Sequence, residues 1–229
     1  INVPDLMGVF CELADIRTRE MLNLPVPDLR GQKPRTVTCR PSSALKAYVQ
    51  SLVRRAERLR TERIDPRVDN MLSITNDGRK AALDMRLVDA TALAAPEGKV
   101  VKCAHEVHEI WQRTAGSKCA QLVFCDLSTP KDKGFSVYND MAQKLEKLGI
   151  PNSEIAFIQD YDSDVSKMML FRDVRAGKVR VLFGSTQKMG TGVNVQARAL
   201  AAHHVTVPWR PDRLKQADGR VQRPGNMFT

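Results

Sequence analysis

The sequence predicts an α/β fold, a parallel sheet flanked by helices over residues 99–229, preceded by a mainly helical, basic extension over residues 1–98. Three observations carry this. Four short apolar runs lie in the second region, separated by helical patterns of about 10–15 residues, the spacing of βαβ units. The run "AQLVFC" at 120–125 is apolar without alternation, as a strand covered on both faces requires. The first region lacks comparable strand signals and is dense in Lys and Arg.

Taken in order, "LADIRTREML" at 13–22 reads as a short helix and "NLPVPDLRGQKP" as a proline-broken loop. "RTVTCR" at 35–40 has a β-branched core and reads as a short strand. "PSSALKAYVQSLVRRAERLRTERI" reads as a long helix capped by Ser42 or Ser43, with an apolar stripe of Leu45, Tyr48, Val49, Leu52, Val53, Ala56 and Leu59. Its other face carries Arg54, Arg55, Arg58 and Arg60. A turn is expected at Asn76–Gly78, with a helix after it, and "APEG" at 95–98 marks the seam between the regions.

Beyond the seam, "KVVKCAHEVHEIWQRT" is an amphipathic helix before the first strand. "FSVYNDMAQKLEKLG" is the next helix, "EIAFIQ" the next strand, and "SDVSKMMLFRDVRAG" a helix capped by Ser163 and closed by Gly177. "VRVLFGS" and "HHVTVPW" complete the strands, and "RPDRLKQADGRVQ" is a last short helix with Pro211 in its first turn. In parallel sheets, ligands bind beyond the carboxyl ends of the strands, which directs attention to "GSTQKMGTGVNVQ" and to the segment after Val207.

Composition narrows the function. The net charge is +10 over 229 residues, and between Arg30 and Arg67 eleven Lys or Arg face three acids, Glu57, Glu62 and Asp65. An imbalance this one-sided points to a polyanionic partner, nucleic acid first. Five unpaired cysteines imply reduced thiols in a cytosolic protein, and neither His105 with His108 nor His203 with His204 has a third ligand at metal spacing. No apolar run spans a membrane, and an opening without Met or a basic leader reads as the interior of a longer polypeptide.

Two stretches carry chemistry. In the first, Ser185, Thr186 and Thr191 can donate to phosphate oxygens, Gly190 and Gly192 let backbone N–H groups approach closely, and Lys188 adds charge. It is no Walker A loop, since no Gly-Lys-Ser/Thr follows at the required distance. In the second, "QADGRVQRPGN", Arg220 and Arg223 stand three apart on a helix that Pro224 and Gly225 then end. Two planar guanidinium forks suit phosphate, although Asp212 and Asp218 are also at hand as ordinary partners.

Together these stretches resemble motifs V and VI of superfamily two helicases: Ser-Thr-x-x-x-Gly-x-Gly-x-Asn after a strand, then Trp-x-Pro, then Gln-x-x-x-Arg-x-x-Arg-x-Gly. Trp209 ahead of Gln216 is most similar to the Swi/Snf-type translocases on duplex DNA, and "AQLVFCDLSTP" resembles motif IV. Across the whole chain the pattern is similar to the helicase part of phage and plasmid proteins that fuse an adenine DNA methylase to a helicase.

The resemblance implies a RecA-like second lobe whose ATP and Mg²⁺ are held mainly by a first, N-terminal RecA-like lobe, with a bacterial, phage or plasmid origin and a cytoplasmic location. It places Arg220 and Arg223 at the ATP phosphates, one of them as an arginine finger. Gln216, Gly190, Gly192 and Asn194 fall at the nucleotide cleft. Ser185, Thr186, Lys188 and Thr191 fall toward the DNA backbone. Arg54 and Arg55 are the extension's candidates for a further backbone contact. Double-stranded DNA and a fused methylase domain are the implied partners. The fragment alone is expected to be inactive. Two rivals remain: a non-catalytic nucleic-acid-binding or scaffolding module, and an RNA helicase lobe.

Overall fold

The computed structural model describes residues 2–228 apart from Ile16, Thr18, 131–133, Gly190 and Thr191. The expected class is what the chain forms: a four-stranded, wholly parallel sheet flanked by helices, with a helical stretch ahead of it.

The strands are β1 (Ala120–Phe124), β2 (Ile155–Phe157), β3 (Val181–Gly184) and β4 (Ala199–His204), in the order β2-β3-β1-β4. Leu122 of β1 stands opposite Leu182 on one side and Ala202 on the other. Both faces of the sheet are buried, which is why β1 lacks polar alternation. On one face Val123, Val181 and Phe183 pack under α5 (Lys99–Arg113) and α6 (Val137–Lys147) through Ala104, Val107, Met141 and Leu145. On the other, Leu122, Phe124 and Leu182 meet Leu170 and Val174 of α7 (Asp164–Arg175) and Ala217 of α9 (Pro211–Asp218). One turn of helix, α8 (Thr186–Met189), follows β3. Ser136 and Ser163 cap α6 and α7, each accepting a backbone N–H in the first turn. The fourth strand begins and ends earlier than "HHVTVPW" implied: Val205 makes a last bond, its N–H donating to the Phe124 carbonyl at 3.0 Å, and Thr206 turns to Asp126.

The first part of the chain departs from expectation in three places. Helix α1 occupies Val3–Leu13, started by a proline in its first turn, and among the described residues after it in the span expected to be helical only the single turn α2 (Arg19–Leu22) forms. Residues 33–42 form no strand; the Thr38 carbonyl instead accepts Lys102 Nζ at 2.8 Å, and Arg35 pairs with Glu106. Helix α3 (Ser43–Thr61) is capped by Ser42 as expected, but the turn at Asn76–Gly78 is absent. Helix α4 (Met71–Leu83) runs straight through it, started by Asn70, whose side chain accepts the Ser73 N–H at 2.8 Å.

The α3–α4 pair explains the loss of that turn, and most of the expected apolar stripe, Leu45, Tyr48, Leu52, Ala56 and Leu59, is buried or half-buried. Leu52 and Ile74 are buried between the helices, and Gly78 lets Leu52 approach to 3.4 Å of where a Cβ would lie. Val49 and Val53 remain exposed. Arg55, expected on the solvent face, turns inward: its guanidinium donates to both Asp69 oxygens at 2.8 and 2.9 Å and to Asp77 at 2.9 Å. That fork holds the Asp69 carboxyl below the ordinary carboxylate range.

Helix α4 is joined to the sheet's own packing. Leu83 enters the core beneath α5 and α6, and Arg86 bridges Asp84 and Asp140 at 2.7 and 3.0 Å. Burial works to raise the Asp140 carboxyl, but hydrogen bonds from Arg86 and Lys144 outweigh it and hold the group low. Among the described residues no helix is long and apolar enough to cross a membrane.

Candidate nucleotide and nucleic-acid interface

The loops beyond the carboxyl ends of β1, β3 and β4 are tied together by one residue, Asp126. Its carboxylate accepts the Thr186 N–H at 2.6 Å and the Thr186 hydroxyl at 3.0 Å, while its own N–H donates to Thr206 Oγ1 at 2.7 Å. Thr186 is 3% exposed, so its hydroxyl holds the loop instead of facing a phosphate, contrary to the expectation from sequence. Neither Asp126 nor Thr206 stood out in the sequence; the available signal was an acid placed directly after a buried apolar strand. Behind this knot, Tyr138 donates to the Cys125 carbonyl at 2.5 Å, and burial raises its phenol and pushes the Cys125 thiol up to about 12.

In front of it lies a groove of about 1030 Å³ between α7 and the 185–194 loop. Lys167 and Arg175 line it from α7; Ser185, Lys188, Gly192 and Asn194 line it from the loop. Sequence reasoning assigned the last four to two different ligands, and the structure brings all four to one groove. Ser185 Oγ accepts the Lys188 N–H at 3.2 Å, which leaves the hydroxyl proton available to a ligand. Gly192 has φ 70° in open space, so the backbone conformation, not crowding, calls for glycine there. Arg175 donates to the Asn194 carbonyl at 2.6 Å and fixes the loop to the end of α7. Lys188 stands 3.9 Å from Asp162 and is half-exposed. The candidates Gly190 and Thr191 lie outside the described residues.

The two arginines do not sit on a helix. Helix α9 ends at Asp218 with Gly219 as its cap, and Arg220 and Arg223 occupy the turns that follow. The cause is that Gly219 ends the regular helix five residues before Pro224. Arg220 is half-buried and donates to the Val193 carbonyl at 3.3 Å, between groove residues Gly192 and Asn194. Burial, and then the charge of Arg223, push the Arg220 guanidinium below its ordinary value, so the two forks are electrostatic neighbours. Arg223 is exposed and makes no ion pair among the described residues.

Of the nearby acids, Asp218 holds His204 at 2.7 Å and Asp212 holds Arg210 at 2.7 Å. Asn226, 3% exposed, anchors the turn by donating to the carbonyls of Ala199 and Val221 and accepting the Phe228 N–H. Gln216 is exposed on α9. Arg54, on α3, is exposed, whereas Arg55 is occupied by Asp69 and Asp77 and so leaves the set of backbone contacts. Among the described residues no group of three or more His, Cys, Asp or Glu could hold a metal ion.

No family model matches the chain, and no curated protein matches it. Among solved structures it is similar to the helicase domain of Hef from Pyrococcus furiosus, at 19% identity with a TM-score of 0.39. The match covers 80% of this chain and 34% of that one, so the chain spans about a third of that protein's length.

Proposed function

We propose that this chain is the second, C-terminal lobe of an ATP-dependent DNA helicase or translocase, with its catalytic pocket completed by another lobe. The observation that carries this reading is the pair of neighbouring guanidiniums, Arg220 and Arg223, on a turn against the loop that lines a cation-edged groove. Arg223 adds its charge beside Arg220, and a phosphate group is a ligand that two planar guanidinium forks suit. Arg223 is exposed, which fits a fork reaching a phosphate held by another lobe; Arg220 is fixed closer to the groove loop.

In this reading ATP and Mg²⁺ are held mainly by the other lobe, and the bound nucleotide supplies the hydrolysable phosphoryl group. Arg223 stabilises negative charge developing on that group, and Arg220 binds and orients its oxygens. Gln216 lies at the same cleft. Ser185, Lys188, Lys167 and Asn194 hold the backbone of the nucleic acid, with little preference for base sequence. Asp126 joins the groove loop to the segment leading into α9, so occupancy of the groove and placement of the arginine turn share one network. The preference for duplex DNA rests on Trp209 ahead of Gln216, the feature similar to Swi/Snf-type translocases.

The test uses a polypeptide carrying both lobes. Duplex DNA should stimulate its ATP hydrolysis, and Arg223→Ala should lower the rate by roughly 10³–10⁵-fold while DNA affinity stays within a factor of two to three. A variant that keeps its rate would overturn the finger. Nucleic-acid binding without any ATP hydrolysis would favour the binding or scaffolding module.

A further inference from the structure

We infer that the outward face of α3 is a second nucleic-acid surface, separate from the groove, that docks against the phosphate backbone of a duplex. The sequence places Arg54, Arg55, Arg58 and Arg60 on one face of this helix; the structure divides them. Arg55 is bound by Asp69 and Asp77, Arg58 pairs with Glu62, and Arg35 pairs with Glu106. Lys46, Arg54, Arg60 and Arg63 are exposed and make no ion pair among the described residues.

At 3.6 residues per turn, Lys46, Arg54 and Arg60 fall within an arc of about 120° on the side opposite Arg55. They lie about 12 and 9 Å apart along the axis, a span of about 21 Å on one broad face, and Arg63 follows just past the helix end. One carboxylate, Glu57, sits inside that arc and pairs with none of them.

The chemistry of this row selects its partner. A rigid helix with cations at fixed intervals matches a polyelectrolyte that is itself stiff and densely charged, and duplex DNA carries about one charge per 1.7 Å. An anionic membrane calls for a bulky apolar stripe beside the charges, whereas this face offers only the half-exposed Val49 and Val53. The inference does not rest on the motor reading, since neither the arginine turn nor the groove takes part in it.

The test is binding of this chain to a short, labelled, mixed-sequence DNA duplex, followed by anisotropy across a salt series. Replacing Lys46, Arg54 and Arg60 together with Gln should weaken binding at least about tenfold and flatten the salt slope by roughly 2.7, about 0.9 for each phosphate no longer neutralised. Replacing Arg113, Lys147 and Lys178 with Gln removes the same charge from exposed positions elsewhere and should leave the slope unchanged. Glu57→Gln should tighten binding several-fold, a gain that damage to the fold cannot produce. Equal losses in the two triple variants, or none in the α3 triple, would overturn the inference. So would a single strand bound as tightly as the duplex, or anionic phosphatidylserine vesicles bound in its place. In a polypeptide carrying both lobes, weakened duplex binding in the α3 triple with basal, Arg223-dependent hydrolysis intact separates this surface from the proposed motor site.

Discussion

At the scale of single residues, the site depends on a side chain that carries no charge. Arg220 and Arg223 lie in irregular turns, where no helix ladder fixes their direction, and Asn226 takes over that task. Its amide ties the turn to the start of β4 and to the turn's own Val221 carbonyl, and its oxygen holds Phe228. Asn226→Ala leaves those backbone groups without that amide in a buried place, a loss of about 1–3 kcal/mol. Urea unfolding should show a midpoint shift of that size with an unchanged m-value, and in a two-lobe protein ATP hydrolysis should fall even at temperatures where the variant is folded. An unchanged midpoint would remove Asn226 from this role. Its anchoring role depends on Ala199 folding back beside it, a partner 27 residues away that no local pattern contains.

At the scale of elements, the sheet and the helices around it were legible because their signals are local. A continuous apolar run marks β1 correctly, and serine caps mark α3 and α7. The missed helix through residues 76–78 has a tertiary cause, a long-range interaction overriding a local preference. Asn76-Asp77-Gly78 has the chemistry of a turn, yet Asp77 is held by Arg55 and Gly78 by the approach of Leu52, so the helix continues. This makes a signed prediction. Gly78 lies inside a helix without positive φ, and a Cβ there would meet Leu52 at 3.4 Å, an ordinary van der Waals separation. Gly78→Ala should therefore stabilise the protein by about 0.5–1 kcal/mol, seen as a raised thermal midpoint. A lowered midpoint would mean that Leu52 cannot yield and that the close approach is essential.

At the scale of the whole molecule, the helical stretch and the sheet are joined by polar interactions that sequence could not foretell. Arg79 donates to the Val207 carbonyl at 3.2 Å and lies 4.8 Å over the Trp209 ring, so α4 grips the link between β4 and α9. Gln222, beside the arginine turn, reaches the Pro27 carbonyl at 3.5 Å. The sheet's interior has its own polar thread: the Gln121 amide donates to the Val107 carbonyl at 2.8 Å, and its oxygen meets His203 Nε2 at 2.9 Å. That thread links α5 through β1 to β4 and makes the molecule sensitive to acid. Burial, with His204 adding to it, lowers the His203 imidazole to about 4, against about 6.5 when unfolded. The unfolded chain therefore takes up a proton that the folded one refuses, and stability is lost as pH falls from about 6.5 toward 4. Below that window the depressed carboxyls of Asp69 and Asp140 add a second loss, since each stabilises the fold only while ionised. Thermal midpoints measured from pH 7 to 4 should decline in wild type, and the upper part of that decline should flatten in His203→Gln, which cannot titrate. Equal slopes in the two proteins would show that His203 is not the group responsible.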